Sequence, residues 1–219
     1  MLPALARVGG PFPLGGTSNH FRRDALVRVG GWDAFNVTED ADLGFRLASH
    51  GYRLGVIEAP TFETAPERLG QWVRQRGRWI KGYMQTWGVH TRSLRHMRPK
   101  QALVLTLTVG VAIASAFLHG PACLWMAAEL LIWAIGHGQP DGMVLDMVLL
   151  VGGWCSAIGA MALGARRAGV HMSVGDAFAA PLYWTLQTPA ALYALWQLAL
   201  RPFHWDKTPH RAVAQAAKP

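Results

Sequence analysis

Thr38-Glu39-Asp40-Ala41-Asp42-Leu43-Gly44 and Gln75-Arg76-Gly77-Arg78-Trp79 are the two stretches on which the reading of this chain turns. In the first, Thr38 suits a helix N-cap, and Glu39, Asp40 and Asp42 load the first turn with negative charge. Leu43, Leu47 and Ala48 keep a helical period until Gly51 stops it. The second stretch sits in an amphipathic helix predicted over residues 67–87. Leu69, Trp72, Val73, Ile80, Tyr83, Met84 and Trp87 fall near one stripe, and Arg74, Arg76, Arg78 and Lys81 make the helix basic. Positions 75, 78 and 79 share one face of such a helix, which presents an amide, a guanidinium and an indole together.

Working outward, residues 11–20 are rich in Pro, Gly, Thr, Ser and Asn and read as a loop or a loop running into a short strand. Residues 23–29 read as a short helix ended by Gly30-Gly31, and Leu54 to Ala59 as a short strand closed by Pro60. His90 to Lys100 is a basic connector. Four apolar segments follow, at roughly 102–118, 121–136, 143–163 and 177–200. A membrane-spanning helix needs about 20 apolar residues, so the third and fourth qualify. The first two meet at His119-Gly120-Pro121. They read either as two short spans in a tight hairpin or as an interfacial helix plus one span. Pro189 is placed to kink the fourth.

Charge divides the chain in the same way. Residues 1–100 hold 15 of the 21 Lys and Arg against 8 of the 13 Asp and Glu, while residues 101–219 hold 6 and 5. The basic excess beside apolar segments points to an anionic membrane surface rather than nucleic acid, with the basic region on the cytoplasmic side. The basic tail favours the same side and an even number of crossings, although Arg166 and Arg167 then face outward. Cys123 and Cys155 lie in apolar runs and suggest neither a disulfide framework nor a metal site. Glu129, Asp146 and Asp176 lie in or near the apolar segments without a pairing pattern, which gives little support to a transporter.

Each of the two stretches has a plain reading and a chemical one. Thr38-Glu39-Asp40 is a capped helix start, or it supplies a carboxylate base for an acceptor hydroxyl. Gln75, Arg78 and Trp79 belong to a basic interfacial helix, or they supply positive charge near a departing diphosphate and a surface for a sugar ring.

The order of motifs resembles the membrane-bound family-2 glycosyltransferases, the group of cellulose and hyaluronan synthases. The resemblance runs through Pro13-Leu14-Gly15-Gly16-Thr17-Ser18-Asn19-His20-Phe21-Arg22, Gly30-Gly31-Trp32-Asp33, and the two stretches already quoted. It covers most of residues 11–87. It implies an α/β fold: the C-terminal portion of a glycosyltransferase-A domain over 1–100, with an interfacial helix. An α-helical transmembrane bundle of about four helices over 101–200 and a cytoplasmic tail over 201–219 would follow. It also implies that Asp40 is the catalytic base and that Glu39 and Thr38 shape the acceptor pocket. Gln75, Arg78 and Trp79 would line the junction of acceptor and donor diphosphate, and Gly15, Gly16, Thr17 and Ser18 would pass close to the acceptor sugar. Trp205, Lys207 and Thr208 look like a gating loop, or equally like a basic anchor after a membrane span.

By the same resemblance the enzyme is inverting, takes a nucleotide-sugar donor and a growing glycan acceptor, and sits in a bacterial inner membrane in contact with lipid. The family's Mg or Mn is held by an Asp-x-Asp in a donor-binding half that would precede residue 1. Asp40-Ala41-Asp42 has that spelling but is the tail of the acidic helix start, so no metal ligand is assigned. The chain is therefore expected to be a fragment, a truncated frame or one piece of a split enzyme, inactive without a separate donor-binding chain. The alternative is a non-catalytic membrane subunit or relic that binds a partner glycosyltransferase.

Overall fold

The structure, a computed structural model, describes residues 2–57, 59, 61, 63–92 and 97–206. The fold is 67% helical, with no strand or sheet among the described residues. The expected α/β portion of a glycosyltransferase-A domain is thus overturned. A strand needs a neighbour to pair its backbone groups; residues 11–20 run as loop alone, and one other candidate is left in residues 1–68. That candidate, Leu54 to Ala59, has no regular structure over its described part. Leu54 packs instead onto the helices before it, and Ile57 is exposed.

The elements run α1 (Leu2–Arg7), α2 (Arg23–Arg28), α3 (Glu39–Ser49), α4 (Leu69–Thr91), α5 (Pro99–Leu105), a π-helical turn (Thr106–Gly110), α6 (Val111–Ala134), α7 (Met143–Arg167), α8 (Val174–Thr185) and α9 (Gln187–Leu200). Both stretches that opened the sequence reading are helical as expected. The apolar segments divide differently. Residues 102–118 and 121–136 form one helix with Pro121 inside it, continuous from Pro99 to Ala134. Proline removes a backbone donor and opens the turn before it. Thr188 ties into that turn: its hydroxyl accepts from Gly120 N–H (3.2 Å) and donates to Ala116 O (3.0 Å). Segment 177–200 is instead broken at Leu186 into α8 and α9. Among the described residues two helices are long and apolar enough to cross a membrane, Pro99–Ala134 and Met143–Arg167.

Three apolar clusters hold the elements. Ala25 and Val29 of the α2 region meet Leu43 and Leu47 of α3. Phe45 of α3 meets Leu105 and Val109, which draws α3 onto the start of the long helix. Trp72 and Ile80 of α4 pack with Ala116 of α6 and Ala190, Ala191 and Ala194 of α9. Small residues let the α4 and α9 backbones approach closely. A Cβ on Gly77 would lie 2.7 Å from the Tyr193 ring.

Two further contacts fix α3 against α4. A Cβ on Gly82 would lie 2.1 Å from Thr38 Oγ1, so the start of α3 rests directly on the α4 backbone. Thr38 does not cap its helix with its side chain; the hydroxyl turns to Asn36 Oδ1 (3.4 Å), and Asn36 donates to Thr86 of α4 (3.0 Å). One helical stretch further on, the Asp42 carboxylate is 1% exposed and is held by Arg46 Nε (2.5 Å) and His90 Nε2 (2.8 Å). Burial pushes the Asp42 carboxyl up, but the hydrogen bond from His90 and the Arg46 charge outweigh it and leave it below the usual carboxylate value.

Gly82→Ala is expected to cost about 3 kcal/mol or more, because the added methyl has nowhere to go except into Thr38; thermal unfolding of the detergent-solubilised protein measures it. Asp42 holds its proton less tightly folded than unfolded, so its stabilisation is complete above the unfolded value of about 3.9 and is lost as pH falls through the lower folded value. Asp42→Asn should cost about 3 kcal/mol near neutrality by leaving Arg46 buried beside a neutral group. It should also flatten the acid limb of the stability profile, and an unchanged limb would show that Asp42 does not carry it.

Candidate active site

Because α3 starts on the α4 backbone, the acidic turn and the basic face of α4 open onto one space. A cavity of about 1000 Å³ is lined by Gly15, Gly16 and Thr17 of the loop, Thr38, Glu39 and Asp40 of α3, and Gln75, Arg78 and Trp79 of α4, together with Trp205. Every predicted site residue that the structure describes is on this cavity except Ser18. Ser18 is exposed, takes a left-handed backbone (φ 57°) and shares a hydrogen bond with Thr61 (3.0 Å). Lys207 and Thr208 lie outside the described residues.

Asp40 is half-buried. Its Oδ1 accepts from Ala41 N–H (2.8 Å), and the loop runs so close that a Cβ on Gly16 would lie 3.3 Å from Oδ2. A helix start normally favours a carboxylate. Here burial comes first and the Glu39 charge adds to it, raising the Asp40 carboxyl above its ordinary value against the opposing pull of the Ala41 N–H and the Arg78 charge. A raised carboxylate is a stronger proton acceptor, which suits a base. Tyr83, also on the cavity, is raised by burial and by the Asp40 charge.

The cationic side of the site is wider than the sequence reading allowed. Arg76, taken there as part of a basic face, lies on the cavity with its guanidinium 4.4 Å from the centre of the Trp79 ring and 5.6 Å from that of Trp72. Arg78 reaches Val37 O (3.5 Å) and lies 5.8 Å from the centre of the Trp205 ring. The Nε atoms of both arginines are buried without a protein partner. Two such donors beside an acidic pair can receive an anion while the carboxylates deal with protons. Glu63 also lines the cavity and accepts from Thr17 Oγ1 (2.7 Å). Its place there is hidden in the sequence because Thr17 and Glu63 are 46 positions apart.

Trp205 reaches the site because the chain after α9 is tied to α4. Lys81, fully buried, donates to Gln197 Oε1 (3.1 Å), Arg201 O (3.3 Å) and His204 O (2.6 Å). Burial lowers its affinity for a proton, and the Asp206 charge works against that. Asp206 accepts in turn from Tyr193 (2.7 Å) and Gln197 (2.5 Å). Gln85 adds a bond to Pro202 O (3.0 Å).

The divalent metal implied by the resemblance does not fit these residues. Among the described residues no group of three or more His, Cys, Asp or Glu is placed to hold an ion. Asp42, half of the Asp-x-Asp spelling, is buried and occupied by Arg46 and His90.

Comparison with known proteins bears on the same residues. No solved structure matches the chain. The chain is similar to a probable glycosyltransferase, YdaM, of Bacillus subtilis, 38% identical over 68 residues that cover 31% of this chain and 16% of that one. It is similar to the beta-monoglucosyldiacylglycerol synthase of a Synechocystis species, 34% identical over 85 residues (36% of this chain, 18% of the relative). A third relative is a UDP-forming cellulose synthase catalytic subunit of Komagataeibacter sucrofermentans, 31% identical over 111 residues (50% and 14%). The chain thus spans less than a fifth of the length of each of these relatives in the aligned region. The family described as glycosyl transferase family group 2 matches across residues 3–196, and with nearly the whole sequence inside that match the chain belongs to this family.

Proposed function

We propose that this chain forms the acceptor side of an inverting glycosyltransferase at the bacterial inner membrane, crossing it more than once with the α3–α4 site on the cytoplasmic face. The enzyme transfers a sugar from a nucleotide-sugar to a hydroxyl of an acceptor glycan. The observation that carries the reading is the meeting of Asp40 with Arg76 and Arg78 on one cavity, with the Gly15-Gly16 loop against the carboxylate. Family membership and the names of the relatives support the reaction class.

In this reading the acceptor oxygen attacks the anomeric carbon of the donor sugar as the bond to the diphosphate oxygen breaks. The hydroxyl proton passes to Asp40, whose raised proton affinity suits the task. Arg78 and Arg76 meet the negative charge left on the diphosphate, and Trp79 offers the sugar a face. Trp205 closes the cavity from the side of Arg78. The nucleotide and its metal are held by a donor-binding region that residues 1–219 do not supply, so catalysis needs that second part.

Two outcomes follow. Membranes holding residues 1–219 alone should transfer no label from UDP-glucose, GDP-mannose or UDP-N-acetylglucosamine, whereas co-expression with the nucleotide-binding half of a relative should restore transfer. Turnover by the isolated chain that Asp40→Asn abolishes would refute the need for a second part. In the restored system Asp40→Asn should lower the rate by about 10²–10⁴-fold, the ordinary worth of a general base. The acid limb of the rate profile should lie above about 3.9, the unperturbed aspartate value, because burial raises Asp40. Full activity of the Asn variant would remove Asp40 from the role.

A further inference from the structure

The cavity does not end at the charged site. Past Trp79 and Tyr83 it runs on between two helices, along Ala112, Ile113 and Ala116 of α6 and Leu149, Leu150 and Ala157 of α7. These are the two helices whose length and composition suit a membrane span. The cavity therefore has a polar limb, holding Asp40 and the arginines, and an apolar limb that opens into the region a bilayer would occupy. We propose that the apolar limb binds an acyl chain of the acceptor, so that the acceptor glycan is anchored to a lipid and its head is presented to Asp40.

Three observations favour a hydrocarbon there. The limb's walls are mostly aliphatic or aromatic, so Ser115, His119 and Gln187 replace only a small part of the water a hydrated saccharide would lose, whereas a methylene chain loses nothing by entering. α7 stands apart from the bundle: Met143 is its one buried residue among the described ones, and Leu149 is 65% exposed. The gap between α6 and α7 is thus bordered by apolar surface that a hydrocarbon phase would cover. At Gly153, on the α7 wall, an added Cβ would meet nothing within 4 Å, so the space beside the wall is open. Among the polar groups on the limb, Trp154 bears on the head of such a lipid. The Trp154 ring N–H is buried without a partner, beside His119, and an ester or ether oxygen at the head of an acyl lipid is the acceptor it lacks.

The proposal rests on the reading of Asp40 as the base, but its test does not. Residues 1–219 in nanodiscs would be illuminated with a diacylglycerol that carries a diazirine on one acyl chain and keeps its free hydroxyl. Label should concentrate on residues 112–116 and 149–157, and excess unlabelled diacylglycerol should compete it away while a water-soluble glucan oligosaccharide should not. Gly153→Trp fills the limb and should lower labelling about tenfold, the scale of overfilling a packed site. Gly159→Trp, on the same helix, off the cavity and with equal room for a side chain, should leave it unchanged and controls for folding. Asp40→Asn should also leave it unchanged, so loss of the base role and loss of the lipid site are separate results. Label spread evenly over the outer faces of α6 and α7 and indifferent to Gly153→Trp would overturn the proposal. Competition by the oligosaccharide would overturn it too, by assigning the limb to a glycan.

Discussion

The seating of Thr38 on the bare backbone of Gly82 is the contact on which the site depends. Any side chain at 82 would push the start of α3 away from α4, since even a Cβ would fall 2.1 Å from the threonine hydroxyl. With the two helices in contact, an acidic turn and a guanidinium-bearing face share a cavity although 38 residues of sequence lie between Asp40 and Trp79. Thr38 gives up the capping role its residue type suggests, and the bond network through Asn36, Gln85 and Thr86 compensates by locking the loop before α3 to the same helix. One small residue thus decides whether the Asp40 carboxylate and the Arg78 guanidinium face one cavity.

Around that seat the fold buries charge instead of avoiding it. Asp42 and Lys81 each have under 2% of their surface exposed, and each is matched by several donors or acceptors. Buried ionic groups add little net stability against apolar substitutes, but they punish any arrangement that leaves them unmatched. Asp42 thereby fixes α3 relative to the end of α4, and Lys81 fixes the segment after α9. The elements around the cavity are held in register by interactions that tolerate few alternatives.

Much of the site was legible in the sequence because its chemistry is local. Thr38 to Asp42 is one helical turn, and Gln75 to Trp79 is another; residue type and spacing were enough to find them. Long-range relations were not legible. Glu63 reaches the cavity only because it meets Thr17, and Arg76 leaves the apparent surface of its helix because Trp79 and Trp72 flank it. The fold class failed for a similar reason. Leu54 to Ala59 has the composition of a strand, but strand formation depends on a partner, and Leu54 finds its contacts against α2 and α3. The break expected at His119-Gly120-Pro121 is not there; Thr188, 68 residues beyond Gly120, bonds Gly120 N–H and Ala116 O of the turn before the proline. Periodicity shows how a segment buries itself; it does not show which distant side chain completes it.

The Lys81 clamp has a consequence for the order in which this protein is made. Its acceptors on Arg201 and His204 lie 120 and 123 positions further along the chain. During synthesis α4 therefore emerges with an ammonium group whose final partners do not yet exist, and everything between, including both apolar helices, is produced first. Contacts this distant are slow to close, because so much chain must be arranged before they form. The α4–α9 interface is accordingly a late step. It closes only when the residues that follow α9 have arrived, and until then Trp205 has no place at the site.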